Sequence, residues 1–189
     1  MKTCFVVGVS YADFPFSYFK NPQYVKQMKK DFAKKSQAFL EEGFDHFIFL
    51  DEVGANIDFF NELIRFKEQY NFNVSVYKLG KKYNAVLSDA DEIIEVSYKF
   101  PLFKKKRLWK NLLKQSDYLY LLYYLKGRKN DAKKIDMLSF KMDIRGDLYD
   151  LSEVTEEVQK LRRIFSSIGE KYPSFVEELK ATSEKRGRT

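Results

Sequence analysis

The sequence predicts an α/β protein in which helices cover both faces of a mainly parallel sheet. Short apolar runs, typical of buried strands, alternate along the chain with segments whose apolar residues recur at helical spacing. Helices between successive strands imply parallel order and right-handed crossovers. The chain has 189 residues, of which 44% are hydrophobic, and this is enough apolar material for one packed core. Together these observations predict a three-layer, Rossmann-like domain.

The chain begins with a predicted strand and helix. Residues 4–9 form a continuous apolar run that ends at Ser10, which is typical of a strand buried on both faces of a parallel sheet. A helix is predicted from Pro22 to Gly43, because proline favours a first helical turn and glycine a C-terminal stop. The apolar residues of this helix are Tyr24, Met28, Phe32 and Phe39.

The same unit then repeats along the chain. Residues 46–50 are predicted as the second strand, 51–56 as a loop and 57–70 as the second helix. Residues 73–77 alternate in polarity as a third strand, and 92–96 form a fourth. This βαβ rhythm supports the parallel order of the sheet.

The end of the sheet is predicted to differ from its beginning. A helix is expected over residues 105–115 and a fifth strand over 118–123. Residues 126–131 are turn-forming, and residues 135–144 alternate in polarity without room for an intervening helix. We therefore expect an antiparallel hairpin to close the sheet.

A long apolar stripe marks the C-terminal segment. Asp150 and Glu153 stand at capping-box spacing, which indicates a helix start. The stripe proceeds in alternating four- and three-residue steps through Val154, Val158, Leu161, Phe165, Ile168, Tyr172, Phe175 and Leu179. Gly169 and Pro173 interrupt it, so we expect two helices that share a face. The stripe either packs on the chain's own sheet or forms a homodimer interface through residues 154–179.

Three parts are therefore predicted: a Rossmann-like domain over residues 1–150, a helical extension over 151–182, packed on that domain or on a partner, and a disordered basic tail over 183–189. No apolar run approaches the roughly 20 residues that span a bilayer. The N-terminus lacks the length and cleavage site of a signal peptide. We therefore expect a cytoplasmic protein without membrane contact. The net charge of +7 makes polyanions plausible partners.

Two turns after the first two strands form the predicted ligand cleft, because ligands of open α/β sheets bind beyond the carboxyl ends of the strands. The candidate residues are Gly8, Val9, Ser10 and Tyr11 in the first turn, and Glu52, Val53, Gly54, Ala55, Asn56 and Asp58 in the second. Glycine lets a phosphate or ribose approach the backbone, Ser10 can donate its hydroxyl, and Asp58 can accept from sugar hydroxyls. The alternative is a pair of ordinary strand-to-helix turns in which Asn56 or Asp58 caps the helix.

Several motifs occur in a characteristic order between residues 4 and 124. They are Phe5-Val-Val-Gly8, Phe39-Leu-Glu-Glu-Gly43, Val53-Gly54 with Asp58, Ser88-Asp-Ala-Asp91, and Ser116-Asp117 before Tyr118-Leu-Tyr-Leu-Leu122. This order resembles the YpsA-like branch of the SLOG superfamily, which unites DprA-like DNA-processing proteins with LOG-like nucleotide hydrolases. The resemblance implies a domain that binds a nucleotide or nucleotide derivative, with Gly8, Ser10, Gly54 and Asp58 in the ligand loops.

The chain departs from that family at two loops. Asp51 and Glu52 replace the paired glycine of the second loop, and their charge disfavours a phosphate there. Residues 125–130 replace the Gly-Gly-Thr-type turn after the fifth strand, and with it the phosphate grip and acid of a hydrolase. We therefore do not expect a LOG-like phosphoribohydrolase.

Catalytic chemistry finds little support in the composition. One cysteine, Cys4, and one histidine, His46, exclude an internal disulfide and a zinc set of Cys and His. Both are expected to be structural, with Cys4 in the core. We therefore predict no catalytic residue, metal or cofactor. The expected function is non-enzymatic binding or sensing of a nucleotide-like ligand, with a signal passed to a partner; a scaffold that has lost its ligand site is an alternative.

A basic stretch offers a further alternative, a single-stranded nucleic-acid-binding module. Its residues are Lys104, Lys105, Lys106, Arg107, Trp109 and Lys110. Cationic side chains that neutralise the phosphate backbone, together with aromatic stacking, are how single strands are held, and DprA-like relatives bind single-stranded DNA. However, Leu108 and Leu112 equally indicate an amphipathic helix whose basic side is its solvated face, with Trp109 in the core.

Overall fold

The structure is a computed structural model that describes residues 1–9, 22–52, 54–79, 89–96, 104–123 and 131–150. Its six strands are β1 (Lys2–Val7), β2 (Phe44–Leu50), β3 (Asn73–Leu79), β4 (Glu92–Val96), β5 (Tyr118–Tyr123) and β6 (Arg145–Asp150). Its helices are α1 (Pro22–Glu41), α2 (Ala55–Ile64), α3 (Lys104–Lys114) and α4 (Asp131–Lys141), and a short 3-10 helix, Arg65–Glu68, extends α2.

All six strands are parallel and lie in the order β4-β3-β2-β1-β5-β6. The chain builds the sheet outward from β1 to β4, then crosses back to place β5 on the other side of β1. The strand order therefore reverses between β1 and β5. This is the three-layer, Rossmann-like α/β fold that the sequence predicted.

Both faces of the sheet are buried, each against two helices. One core cluster joins Cys4 and Val6 of β1 to side chains of α1 and α2, and the other joins Phe5 and Val7 to side chains of α3 and α4. Alternate side chains of a strand point to opposite faces, so a strand covered on both sides must be apolar throughout. The continuous apolar run of β1 is thereby explained, and Cys4 is confirmed as a core residue.

The predicted antiparallel hairpin is wrong. Residues 131–141 form α4, and β6 pairs in parallel with β5. Ile135, Leu138 and Met142 recur at helical spacing and pack against the α3 side of the core. The apparent alternation came from Met137 and Phe140, which are apolar but 51% and 87% exposed.

The second helix begins earlier than predicted, at Ala55 instead of Ile57. Gly54 precedes it with φ 155° and ψ −155°, a conformation open essentially to glycine alone. This accounts for glycine at that position without reference to any ligand.

Residues Met1–Ser152 form one unit. The predicted helical extension over 151–182, with its candidate dimer stripe, and the predicted tail over 183–189 lie outside the described residues. In the part of the chain that is described, no helix has both the length and the apolar character needed to cross a membrane.

Candidate ligand site at the carboxyl edge of the sheet

The two predicted ligand turns contact each other directly. The backbone N–H of Ala55 donates to the carbonyl oxygen of Val9 at 2.9 Å. The backbone N–H of Gly8 donates to the side-chain oxygen of Asn56 at 2.5 Å. The end of β1 is thus bonded to the first turn of α2.

Gly8 is required by this contact. A Cβ atom at this position would lie 2.6 Å from the backbone nitrogen of Asn56 and 2.8 Å from the carbonyl carbon of Ala55. Both neighbours are backbone atoms at the start of a helix, so the helix itself would have to shift to make room for a Cβ atom. The group that approaches Gly8 closely is therefore the start of α2. The sequence predicted a ligand in this space.

Asn56 does not cap its helix, because it is the second residue of α2 and Gly54 occupies the N-cap position. Its side chain is fully buried and points back to the sheet. The amide nitrogen donates to the carbonyl oxygen of Leu50 at 3.3 Å, while the amide oxygen accepts from Gly8. Asn56 therefore ties together the ends of β1 and β2.

Asp58 is directed toward α1. Lys29 of α1 places its Nζ atom 3.6 Å from Oδ1 of Asp58 and 3.2 Å from Oε1 of Glu62. Both acidic residues are nearly buried, at 8% exposure each. Arg65 also donates to Glu62, at 2.8 Å. The charge of Asp58 is thus used between the two helices, which leaves it poorly placed to accept from a ribose.

Glu52 is bound by a cation from the opposite layer. The Nζ atom of Lys105, in the first turn of α3, lies 2.7 Å from Oε1 of Glu52. The pair offsets the negative charge that distinguishes this loop from the SLOG pattern. It also holds the basic start of α3 beside the end of β2.

The structure therefore brings together Gly8, Val9, Gly54, Ala55 and Asn56, and it pairs Glu52 with Lys105 of α3. The predicted site residues Ser10, Tyr11 and Val53 lie outside the described residues.

The basic stretch forms most of α3 and presents two faces. Lys105, Lys106, Arg107 and Lys110 are exposed. Trp109 is buried, at 3% exposure, and packs with Leu108 and Leu112 in the α3 side of the core. Its indole ring is therefore not placed to stack on a nucleic-acid base. Phe100 and Phe103, which flank the stretch, lie outside the described residues.

A cationic groove between α1 and α2 was not found from the sequence. It encloses about 520 Å³ and is lined by Lys26, Lys29, Lys30, Arg65 and the carboxylate of Glu62, with Pro22 and Val25. A signal was present in the sequence: α1 has no acidic residue in its first turn and carries lysines in its N-terminal half. Lysines near a helix N-terminus are repelled by the positive end of the helix dipole, which favours anions there.

His46 and Cys4 occupy structural positions. The imidazole contacts the Ser75 hydroxyl at 2.8 Å and the Thr3 hydroxyl at 3.4 Å. His46 lies near the start of β2, at the amino end of the strands and away from the two turns. Burial raises the pKa of the Cys4 thiol and keeps it protonated. Among the described residues, no group of three or more His, Cys, Asp or Glu side chains could hold a metal ion.

No protein-family model matches the chain, and no curated protein matches its sequence. The case for a ligand site consequently rests on sheet topology and on the charges gathered at its carboxyl edge.

Proposed function

We propose that the protein binds a nucleotide-like, anionic small molecule at the carboxyl edge of its sheet, as a binder or sensor and not as an enzyme. The strand order reverses between β1 and β5. Ligands of open α/β sheets lie outside the carboxyl ends of the strands at such a reversal. The Gly8 turn directly follows β1, which places it at that point.

The ion pair between Lys105 and Glu52 carries the proposal. It brings the first turn of α3, residues 104–107, to the loop after β2, and every residue of that turn is a cation. Cations in a first turn face the positive end of the helix dipole, which disfavours them by about 0.3–1 kcal/mol each at exposed positions. A bound anion would offset this repulsion.

The groove between α1 and α2 is a second support. Its lining includes Pro22, the first residue of α1, and among the described lining residues four cations outnumber the single carboxylate of Glu62. Each of the four described α-helices follows a strand of the parallel sheet and starts at its carboxyl edge, so α1 and α3 bring positive charge to the same edge from opposite layers. This excess of positive charge favours a ligand with phosphate groups.

The contact between the two turns limits where the ligand can lie. The N–H of Gly8 is bonded to Asn56, and the N–H of Ala55 to Val9. Neither amide is available to a phosphate, in contrast to a glycine-rich phosphate loop. The ligand would therefore lie above the joined turns, held by cationic side chains.

The proposal is tested by thermal shift with ADP-ribose, NAD, and linear and cyclic mononucleotides. A ligand at about 100 times its Kd stabilises a protein by about 2.7 kcal/mol, which is readily measured. We expect Lys105→Gln to weaken binding about fivefold, because it removes a cation and leaves Glu52 unpaired. Lys114→Gln, at the other end of α3, is the matched control. Absence of stabilisation by every compound at millimolar concentration, or equal effects of the two variants, contradicts the proposal.

A second candidate function is binding of single-stranded nucleic acid by the outer face of α3. Lys106, Lys110 and Lys114 are exposed and stand four residues apart, in one row along the helix. Like charges at this spacing destabilise a helix by about 0.2–0.5 kcal/mol per pair, and a polyanion would relieve that repulsion. Three phosphate contacts predict a slope of about −2 in a plot of log affinity against log salt concentration. Lys110→Gln should reduce that slope; a flat salt response rejects this candidate.

A further inference from the structure

A cavity of about 370 Å³ lies halfway along the sheet, between α1 and the last two strands. Its polar lining comprises Asp31, Lys34 and Lys35 of α1, Tyr120 of β5, and Asp147 and Tyr149 of β6. This volume falls within the range of small-molecule sites, about 300–1,000 Å³. None of these residues belongs to the Gly8 or Gly54 turns, so the cavity is distinct from the candidate site described above.

Tyr120 is the unusual member of the lining. The residue is 3% exposed, and its ring makes edge contacts with Phe32 at 5.2 Å and Phe59 at 5.7 Å between ring centroids. Although its ring is buried, its hydroxyl is open to the cavity and makes no hydrogen bond with any described residue. Burial, followed by the nearby charges of Asp31 and Asp147, raises the pKa of Tyr120. The hydroxyl thus stays protonated and available for a hydrogen bond in the cavity.

Of the four described charged side chains that line the cavity, two form an ion pair with each other. Nζ of Lys35 lies 2.5 Å from Oδ2 of Asp147, which closes that pair. Among the described residues, Asp31 accepts only from neutral groups: the Tyr149 hydroxyl at 2.6 Å and the amide of Gln27 at 2.8 Å.

Asp31 and Lys34 are left as single charges. Within the described parts of the chain, no cation forms an ion pair with Asp31, and no carboxylate lies within ion-pair distance of the exposed Lys34. The two residues stand three positions apart on α1, where Cβ atoms are separated by about 5–6 Å. The cavity is therefore bordered by the carboxylate of Asp31 and the ammonium group of Lys34, neither of which forms an ion pair with a described residue. The hydroxyl of Tyr120 lies in the same lining.

We propose that this cavity binds a small zwitterion that carries one ammonium and one carboxylate group, the chemistry of a free amino acid. The ammonium group binds the carboxylate of Asp31, and the carboxylate group binds Lys34 at the mouth. The hydroxyl of Tyr120 hydrogen-bonds the ligand in the interior. Ala38 and Leu148 complete the lining and offer apolar surface to a ligand side chain.

The test measures binding of L-alanine, L-leucine and L-phenylalanine to the full-length protein by ligand-observed NMR and calorimetry. Phenethylamine and 3-phenylpropionate serve as probes that carry only one of the two charges. We expect at least one amino acid to bind, and both single-charge probes to bind about tenfold more weakly, since each loses one charge-assisted contact. No binding of any amino acid, or equal binding of a single-charge probe, overturns the proposal.

Variants assign the site to this cavity. Tyr120→Phe removes a single oxygen atom and should weaken binding about fivefold, the value of one hydrogen bond. Lys34→Gln should weaken it by a similar factor, while Lys141→Gln, at an exposed position on α4 and outside the cavity lining, should leave affinity unchanged. Unchanged affinity in both Tyr120→Phe and Lys34→Gln would place the ligand elsewhere and reject the site.

Discussion

The backbone N–H of Gly8 donates to the side-chain oxygen of Asn56 at 2.5 Å, and this bond joins the end of β1 to the start of α2. The nitrogen of the same side chain donates to the carbonyl oxygen of Leu50 at 3.3 Å, at the end of β2. Asn56 is fully buried, so both polar atoms of its amide need partners inside the protein, and Gly8 and Leu50 provide them. One side chain therefore holds the two central strands to the helix that follows them.

Replacing Asn56 with alanine should be among the more destabilising single changes in the first half of the chain. The variant leaves the half-buried N–H of Gly8 without its acceptor, at a cost of about 1–3 kcal/mol. The carbonyl of Leu50 keeps the hydrogen bond from the N–H of Glu52 at 2.8 Å. Urea unfolding measures the loss. Asn61→Ala, on an exposed position of the same helix, is the matched control and should change stability by about 0.5 kcal/mol or less. Similar losses for the two variants would contradict the assigned role.

Gly8→Ala tests the close approach of β1 and α2. The added Cβ atom would lie 2.6 Å from a backbone nitrogen, so strand and helix must separate, and we expect a loss of about 1–3 kcal/mol. Gly43→Ala is an informative contrast. No atom lies within 4 Å of a Cβ at Gly43, but its φ of +82° disfavours a side chain, which costs about 1–2 kcal/mol. Only Gly8→Ala should also disturb the Gly8 and Asn56 amide resonances in NMR spectra; unchanged resonances would show that the contact tolerates a methyl group.

The one histidine of the chain makes a pH prediction possible. Burial lowers the pKa of His46 from its ordinary value of 6.5. The unfolded chain then binds a proton more readily than the folded protein. The stability due to neutral His46 is accordingly present in full above about pH 6.5 and is lost as the pH falls below that value. The free energy of unfolding, measured with urea at about pH 5 and pH 8, should differ less between the two pH values for His46→Gln than for the unchanged protein. An identical difference would show that His46 does not titrate on unfolding.

Local patterns in the sequence predicted the central strands well, because burial on both faces leaves no room for polar residues. The run from Cys4 to Val7 is the clearest case, since successive side chains enter opposite core clusters. The same logic failed for α4, where exposed Met137 and Phe140 concealed the helical spacing of the buried residues. Exposed apolar side chains add to the apolar pattern of the sequence without marking the buried face, so they can conceal whether the spacing is that of a helix or a strand.

The candidate site was only partly predictable for a different reason. Topology predicted that the Gly8 and Gly54 turns lie at the same edge of the sheet, and the two turns contact each other there. The direction of the Asn56 and Asp58 side chains, however, depends on tertiary contacts. Capping preference suggested that either residue serves its own helix, whereas Asn56 bonds the strands and Asp58 contacts Lys29. The neutralisation of Glu52 by Lys105 spans 53 positions of the sequence, and no local pattern indicates it.

Tyr120 and Tyr149 line the same cavity but should respond differently to loss of the hydroxyl. The hydroxyl of Tyr149 donates to Asp31 at 2.6 Å, so Tyr149→Phe removes a hydrogen bond to a charged group, with an expected loss of about 1.5–3 kcal/mol. The hydroxyl of Tyr120 opens into the cavity and has no such acceptor among the described residues, so Tyr120→Phe removes no hydrogen bond within them and should change the stability of the ligand-free protein by about 0.5 kcal/mol or less. Calorimetric melting of both variants measures the contrast. A clear loss of stability in Tyr120→Phe would instead show that the hydroxyl serves the fold.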